Sequence, residues 1–359
     1  MKNALITGAT GTLGRKLVAA LLEQTEAYLY LLARGRKRMS AEDRIRKLLA
    51  DQGVEHLGDR VTTLVGDVGE PGFGLDHADL ARLRGPIDRF FHVAATTDLG
   101  TTSPDAQRVN INGTANALRV AGDLRRDGRL GRYVHFSTAY VAGGLGDHLA
   151  LEDDLPDHAD FHANPYEASK CQAERLVRDA ARDGLPTTIL RPSIVVGDSR
   201  TGEISDFSGI YAILRLWAYG LMSRLPAVAA NPVNIVPIDY VTQASLAISS
   251  RDDSQGKTYH LVASRPTTIG TLIEAAREER PSLPPIAFEG SNGDARREPH
   301  DGARSNPLHP LLVYLNCRLH FDVTNTTAAL TGTGVEPPVT DYGFLRRLVR
   351  YAVMAGYLA

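Results

Sequence analysis

The N-terminal stretch Asn3-Ala4-Leu5-Ile6-Thr7-Gly8-Ala9-Thr10-Gly11-Thr12-Leu13-Gly14 joins a short apolar run to a glycine-rich loop. Beyond it, apolar residues recur at helical spacing, at positions 13, 17, 18, 21 and 22. Strand, glycine loop and helix in this order predict a dinucleotide-binding turn, whose helix N-terminus presents free N–H groups to a pyrophosphate. Gly8 permits the tight turn, Gly11 lets the backbone approach the phosphates, and Gly14 allows close helix–strand packing. We expect the loop to bind cofactor through Gly8, Thr10, Gly11, Thr12, Leu13 and Gly14.

Composition narrows the class of protein. The chain has 359 residues, of which 43% are hydrophobic and 23% charged, and its formal net charge is -2, so nothing indicates a nucleic-acid partner. Two cysteines imply no disulfide framework and suit a reducing cytosol, so we expect a cytoplasmic protein. No apolar run is long enough to span a membrane, and the strand predicted after Met1-Lys2-Asn3 leaves no room for a signal peptide.

Strand-like runs alternate with helical stretches after the first unit. Strands are predicted at 28–33, 61–65, 89–93, 133–137 and 187–190. The alternation predicts an α/β fold, a doubly wound Rossmann-type parallel sheet with a smaller, mostly helical C-terminal substrate lobe. We assign 1–200 to the nucleotide-binding domain and 201–359 to the lobe, with 234–262 returning to the Rossmann core.

Ligands of such sheets bind beyond the carboxyl ends of the strands. Asp67 and Val68 follow the third predicted strand, and Asp67 is placed to accept from an adenine amino group. Ala94 and Ala95 follow the fourth, where small side chains let a cofactor lie against the strand end. We therefore expect all four residues to contact the cofactor.

Arg34 ends the second predicted strand, about 20 residues after Gly14. An NAD-binding protein typically carries Asp or Glu there, on the ribose 2′-hydroxyl. This chain has Arg34-Gly35-Arg36-Lys37-Arg38 instead, and a planar, permanently charged guanidinium suits a 2′-phosphate. The sequence favours NADP(H) over NAD; a solvated basic loop is the alternative.

Tyr166 and Lys170 stand four residues apart, on one face of a predicted helix. A neighbouring ammonium lowers the pKa of a phenol, so we expect Tyr166 to exchange a proton nearer neutral pH. Ser137 and Thr138 end the fifth predicted strand, and Thr138 is the first candidate to hold a reacting oxygen. With a nicotinamide as hydride source and Lys170 at its ribose, this set would reduce a carbonyl.

Three other features carry open alternatives. Asn110 either holds a water in a proton relay or caps its helix locally. The apolar helix predicted over 210–222 is either a wall for a hydrophobic substrate or a core helix of the lobe. The amphipathic helix predicted over 342–358 contacts a membrane or an acidic carrier protein, or packs on its own domain.

A run of acidic and histidine side chains precedes Tyr166. Its spacing matches no metal-ligand pattern, so we expect no metal and interpret it as a solvated loop over the cleft. Its members are His148, Asp153, Asp154, His158, Asp160 and His162.

Taken together, Thr7-Gly8-x-x-Gly11-x-x-Gly14, Ser137-Thr138 and Tyr166-x-x-x-Lys170 resemble an extended short-chain dehydrogenase/reductase, over roughly residues 3 to 265. Four segments are similar to the male-sterility-type NAD(P)-binding family, which includes fatty acyl-CoA reductases and the thioester reductase domains that release acyl chains from carrier proteins. They are 31–49, 66–75, 191–203 and 234–241. The resemblance implies catalytic roles for Thr138, Tyr166 and Lys170, and cofactor contacts at Arg34, Arg44, Pro192 and Ile194.

The resemblance implies NADPH-dependent reduction of an acyl thioester to an aldehyde, with or without further reduction to an alcohol. Coenzyme A and an acyl carrier protein are the alternative carriers. The residues alone do not separate this reaction from ketone or aldehyde reduction, because both need an oxyanion donor beside the hydride. A nucleotide-sugar epimerase or dehydratase shares the fold and the catalytic set, and a non-catalytic NADP-sensing module is a third alternative. Oligomeric state is open, with a homodimer among the alternatives.

Overall fold

A seven-stranded parallel sheet organises the chain, whose computed structural model describes residues 1–36, 38–76, 78–79, 87–97, 103–143, 147–156, 162, 164–290 and 312–358. Its strands, numbered β1 to β7, are Asn3–Thr7, Tyr28–Ala33, Val61–Val65, Ile87–His92, Leu130–Phe136, Thr187–Pro192 and Thr258–Leu261. The spatial order is β7-β6-β5-β4-β1-β2-β3, so the chain winds away from the β1–β4 pair in both directions. The predicted doubly wound Rossmann-type fold is confirmed.

Helices cover both faces of this sheet. Numbered α1 to α9 along the described chain, they are Thr12–Gln24, Ala41–Asp51, Gly113–Arg126, Pro165–Arg182, Ile210–Ala218, Ile238–Ser250, Ile269–Glu279, Thr324–Leu330 and Tyr342–Met354. A helical turn at Ser103–Ala106 and a π-helical segment at Gln107–Asn112 lead into α3. Within the described residues, no helix combines the length and apolar character that crossing a bilayer requires.

Two apolar clusters fix the helices to the sheet. On one face, α1, α2, α6 and α8 contribute buried side chains such as Leu17, Leu48 and Val241. On the other face, α3 and α4 contribute Val120 and Val177. The segment from α6 through β7 therefore packs on the sheet. Helix α8 also packs there, through Ala329 and Leu330, a second return that the sequence did not predict.

A third apolar cluster builds the smaller lobe from α5, α7 and α9. Trp217 and Leu345 are fully buried in it, and Leu272 and Leu348 nearly so. Short strand pairs border the main sheet and this lobe: Ile194–Val196 with Ile235–Pro237, His148–Ala150 with Leu319–Phe321, Pro232–Val233 with Thr267–Thr268, and Arg224–Leu225 with Ala287–Phe288.

Helix α9 packs on its own domain. Arg346 and Arg350 both donate to Glu279 of α7, and Arg347 donates to the carbonyl of Ser199. Its apolar side, including Phe344, lies in the lobe core. These basic side chains are thus already bonded within the domain, which favours the packing alternative over a membrane or carrier surface.

We predict that Gly14→Ala lowers the free energy of unfolding by about 2 kcal/mol or more. A Cβ at this position would stand 2.1 Å from the Gly8 carbonyl oxygen, so backbone must move. Gly122→Ala is the control, because a Cβ there meets nothing within 4 Å inside helix α3. The control should raise stability by about 0.5 to 1 kcal/mol. Urea denaturation followed by circular dichroism measures both, and equal effects would contradict the packing described.

Candidate active site

One cavity of about 980 Å³ lies beyond the carboxyl ends of the parallel strands. Its lining includes every residue expected to contact the cofactor: Gly8, Thr10, Gly11, Thr12, Leu13, Gly14, Arg34, Arg44, Asp67, Val68, Ala94, Ala95, Lys170, Pro192 and Ile194. Thr138 and Tyr166 line it as well. Asn110 is not among the lining residues, although its neighbour Val109 is.

The glycine loop forms a cradle at one end of this cavity. Gly8 has a φ of +73° and backs onto β4, where a Cβ would stand 2.5 Å from the Ala94 nitrogen. Gly11 is the N-cap of α1, and its N–H donates to the Gly8 carbonyl over 3.0 Å. Thr12, Leu13 and Gly14, the first residues of α1 beyond this cap, line the cavity, and the free N–H groups of a helix start bind phosphate.

Several guanidinium groups gather beside the cradle. Arg44 donates to the Arg34 carbonyl over 2.6 Å and to the hydroxyl of Thr10. Burial lowers the pKa of Arg44, and the positive charges of Arg36, Arg34 and Arg15 lower it further. This mutual repulsion marks a place where an anion would be stabilised.

Asp67 faces the same group of cations. Its carboxylate accepts from Arg34 over 2.9 Å, from Arg108 over 3.1 Å and from the Gly69 N–H over 2.9 Å. Burial acts to raise the pKa of Asp67, but the Gly69 bond and the two guanidinium groups bring it below its ordinary value. No sequence pattern indicates Arg108, which reaches Asp67 from the π-helical segment before α3.

Thr138 and Tyr166 both line the cavity, and their hydroxyls share a hydrogen bond. The Thr138 hydroxyl also lies 3.4 Å from the Pro192 carbonyl, to which it donates. Burial raises the pKa of Tyr166, the Glu167 carboxylate raises it further, and the bond to Thr138 lowers it only in part. The pKa therefore moves opposite to the direction predicted from the sequence, because the phenol is desolvated.

Lys170 is buried, and its ammonium donates to the Phe136 carbonyl over 2.6 Å. Burial lowers the pKa of Lys170 to about 8, against the opposing effect of the Glu174 carboxylate. The Lys170 ammonium thus lies at the carboxyl end of β5, where Phe136 precedes Thr138 by two residues.

The hydroxyl of Ser137 donates to Glu174 over 2.7 Å, which turns it away from the role given to Thr138. The side chain of Asn110 is likewise occupied by the protein. Its amide accepts from the Thr96 N–H over 2.9 Å and donates to the Ser169 hydroxyl over 2.8 Å. These contacts join Asn110 to distant segments and neither is a local helix cap, so the relay role of Asn110 stays a prediction.

The other end of the cavity is mainly apolar. Ile210 and Ile213 of α5 line it, whereas Tyr211, Leu214 and Trp217 of the same helix point into the lobe core. This helix therefore lines the cavity on one side and packs in the lobe core on the other, and its role as a substrate wall stays a prediction. The remaining lining there is Ile204, Asp206, Ser208, Gly209, Ala212, Val233, Tyr314 and Leu315.

Tyr314 was missed at the level of sequence. Its ring packs edge-on against Tyr140, with centroids 4.8 Å apart, and its hydroxyl accepts from Asn164 over 3.0 Å. Asn164 is the N-cap of α4, and accepts from the Glu167 N–H. Tyr314 thereby links the C-terminal segment to the helix that carries Tyr166, a contact across about 150 residues that no local pattern reveals.

The run of acidic and histidine side chains before Tyr166 is spread apart. His148 lies on a short strand opposite Leu319, and His162 lies 3.2 Å from the Val141 carbonyl. His158 and Asp160 lie outside the described residues. Within the described part of the chain, no group of three or more His, Cys, Asp or Glu side chains could hold a metal ion.

Comparison with known proteins agrees with this geometry. One curated relative is nonribosomal peptide synthetase asaC of Aspergillus flavus, which is 27% identical over 98% of this chain and 36% of the relative. Another is fatty acyl-CoA reductase wat of Drosophila melanogaster, which is 27% identical over 68% of this chain and 53% of the relative. The chain thus spans less than two thirds of the length of either relative.

A solved structure resembles the chain along nearly its whole length. It is the terminal R domain from the myxalamid PKS-NRPS biosynthetic pathway, 30% identical, with a TM-score of 0.81 and coverage of 99% of this chain and 92% of that one. A family model described as male sterility protein matches residues 6–245. That match covers more than half of the sequence, so the chain belongs to the male sterility protein family of extended short-chain dehydrogenase/reductases.

Proposed function

We propose that this chain uses NADPH to reduce an acyl thioester to an aldehyde, with release of the carrier thiol. The observation that carries the proposal is that Thr138, Tyr166 and Lys170 line one cavity together with the glycine-loop cradle and an apolar arm, the part lined by Ile210 and Ile213. The family relatives support it, because one is a fatty acyl-CoA reductase and two others belong to peptide synthetase systems.

The cradle fits a nicotinamide dinucleotide, which supplies hydride when bound. The N-terminus of α1 would bind its pyrophosphate, and Arg34, Arg36 and Arg44, which line the same cavity, would bind the 2′-phosphate of NADP(H). Arg34 pairs with Asp67, and the exposed fractions of their side chains are 49% and 22%, respectively. The pair is therefore partly solvated, so Arg34 can exchange this partner for a bound phosphate.

The proposed catalytic set acts on the thioester oxygen. As hydride adds to the carbonyl carbon, the C=O pair moves onto oxygen, where Thr138 stabilises it and Tyr166 donates its proton. The resulting hemithioacetal re-forms a C=O bond and breaks its C–S bond. The hydroxyl proton returns to Tyr166, and the departing thiolate takes up a proton from solvent, so Tyr166 is again a neutral phenol. A phenol with a raised pKa remains protonated before the reaction, as a proton donor must.

We propose an acyl group on a carrier-protein arm as the substrate, with coenzyme A as the alternative carrier. Peptide synthetase systems, to which two relatives belong, support the carrier protein. An epimerase acting on a nucleotide sugar would need basic side chains for the substrate diphosphate. Among the described residues that line the apolar arm, none is basic.

Incubation of the chain with NADPH and acyl thioesters should consume NADPH and release free thiol. We expect activity with acyl-carrier protein and weaker activity with acyl-coenzyme A, because the apolar arm binds the acyl chain in both. The ratio of NADPH consumed to thiol released is one for an aldehyde product and two for an alcohol. Simple ketones and aldehydes serve as comparison substrates, and turnover of these without any thiol release from thioesters would overturn the proposal.

We predict that Arg34→Gln weakens NADPH binding about 10- to 100-fold and leaves NADH binding nearly unchanged, because one charge-assisted bond to the 2′-phosphate is lost. Fluorescence titration of both nucleotides measures this. Arg46→Gln is the control: it removes the same charge from the exposed side of α2, outside the cavity lining. Equal binding of NADH and NADPH by the unaltered chain would contradict the proposed specificity.

We predict that Tyr166→Phe lowers kcat about 100- to 10,000-fold without weakening NADPH binding, because only the proton donor is removed. Steady-state rates and nucleotide titration test the two parts separately. Tyr211→Phe is the matched control, since this buried phenol accepts from the Gly197 N–H over 3.1 Å, outside the cavity lining. Retention of full activity in Tyr166→Phe would remove the tyrosine from the mechanism.

A further inference from the structure

Glu174 lies one turn beyond Lys170 on α4, and its side chain is fully buried. Its carboxylate accepts four hydrogen bonds. Ser137 donates over 2.7 Å, and Arg178 donates over 3.0 Å. Arg191 donates twice, over 2.7 Å and 3.0 Å. A carboxylate bonded in this way is fixed in place and ionised, because each donor stabilises the charged form.

Arg191, on β6, extends this contact into the surrounding chain. It is also fully buried, and it donates to the Asp154 carbonyl over 2.7 Å and lies 3.2 Å from the His260 ring. Burial would raise the pKa of Glu174, but Arg191, Arg178 and Ser137 hold it at about 2. Glu174 is therefore negatively charged at neutral pH.

These contacts converge on the backbone beside Thr138. Ser137 precedes Thr138, and its N–H also donates to the Leu190 carbonyl over 2.7 Å. Arg191 precedes Pro192, whose carbonyl accepts from the Thr138 hydroxyl. Glu174 thus holds both chain segments that orient Thr138, while its own side chain is not part of the cavity lining.

Lys170 receives the electrostatic effect of the same carboxylate. From α4, Glu174 favours its charged form. From β4 and β5, His92 and His135 face it, and burial holds the pKa of both imidazoles well below the ordinary value, so both are neutral. The cations on Glu174 itself are Arg178 and Arg191. Among these groups, Glu174 supplies the negative charge that offsets the desolvation of Lys170.

We propose that Glu174 is a positioning residue for this site, which fixes the Thr138 hydroxyl through Ser137 and Arg191 and keeps the buried Lys170 cationic. The first part rests on the proposed reductase function, since it concerns the oxygen that Thr138 is assigned to hold. The second part concerns the protein alone and requires no substrate.

Titration of Lys170 by carbon-13 NMR tests the electrostatic part. The chain has six lysines, so lysine-labelled protein gives few signals, and Lys170→Arg identifies the signal of interest. We expect Glu174→Gln to lower the Lys170 midpoint by about one pH unit or more, because the compensating charge is lost and two cations remain. Glu152→Gln is the matched control: this buried acid bonds Thr326 and the His260 N–H, away from Lys170.

An unchanged midpoint in Glu174→Gln, or an equal shift in Glu152→Gln, would overturn this part. Should Glu174→Gln fail to fold, Arg178→Gln replaces it. That change removes a partly exposed cation from Glu174, so the Lys170 midpoint should rise, and a fall or no change would count against the proposal.

Kinetics of Ser137→Ala test the geometric part, because this change removes one bond to Glu174 and leaves the buried ion pair intact. We expect kcat to fall about fivefold with the KM for NADPH and the Lys170 midpoint unchanged. A kcat equal to that of the unaltered chain would refute the positioning role. If thioesters are not reduced at all, the proposed function fails, while the Lys170 titration still decides whether Glu174 sets its charge.

Discussion

The Gly8 carbonyl lies so close to helix α1 that no side chain fits at Gly14, and Gly8 itself backs onto Ala94 at the end of β4. This packing joins the first strand, the first helix and the fourth strand into one rigid unit. It also fixes the N-terminus of α1 at the edge where the parallel strands end. The arginine cluster, Thr138 and Lys170 are all placed relative to that edge, so their mutual geometry depends on a backbone approach that only glycine allows.

The site places charges where water is largely excluded. A lysine as deeply buried as Lys170 loses its hydration, and a nearby carboxylate offsets part of that cost. Arg191 in turn stabilises the charge of the Glu174 carboxylate, and carbonyl groups from the segment before α4 accept hydrogen bonds from Arg191. Removing one partner from such a buried pair typically costs about 3 to 5 kcal/mol. The resulting network explains why a polar cluster persists in an otherwise apolar layer.

Helix α8, the part of the C-terminal chain that packs back on the sheet, belongs to the same network. Glu152 accepts from Thr326 of α8 and from the backbone N–H of His260, whose ring lies beside Arg191.

Local patterns were sufficient for the fold and for most of the residues that line the cavity. Periodicity identifies β1 to β6, and because parallel strands end at one edge, residues such as Asp67 and Ala94 could be assigned to the cavity from the sequence alone. Tertiary contacts were not accessible in the same way. Arg108, Tyr314 and the Glu174–Arg191 pair come together from distant positions in the chain. The predicted direction of the pKa shift of Tyr166 was wrong, because the four-residue spacing places Lys170 nearby but does not show how far the phenol is desolvated.

The distribution of charged and apolar side chains along the cavity indicates which kind of reaction it could support. Cations collect beside the glycine loop, apolar side chains of α5 line another part of the cavity, and Thr138 and Tyr166 line the same cavity. Charge that develops on a substrate oxygen in this cavity is poorly hydrated, so hydroxyl donors fixed in advance stabilise it more than they would in water. The Tyr166 phenol, whose pKa is raised, remains protonated until that charge appears. With its pKa lowered to about 8, Lys170 is cationic at neutral pH and still able to exchange a proton. In the proposed mechanism, desolvation therefore leaves Tyr166 as the proton donor and Lys170 as a source that can restore its proton.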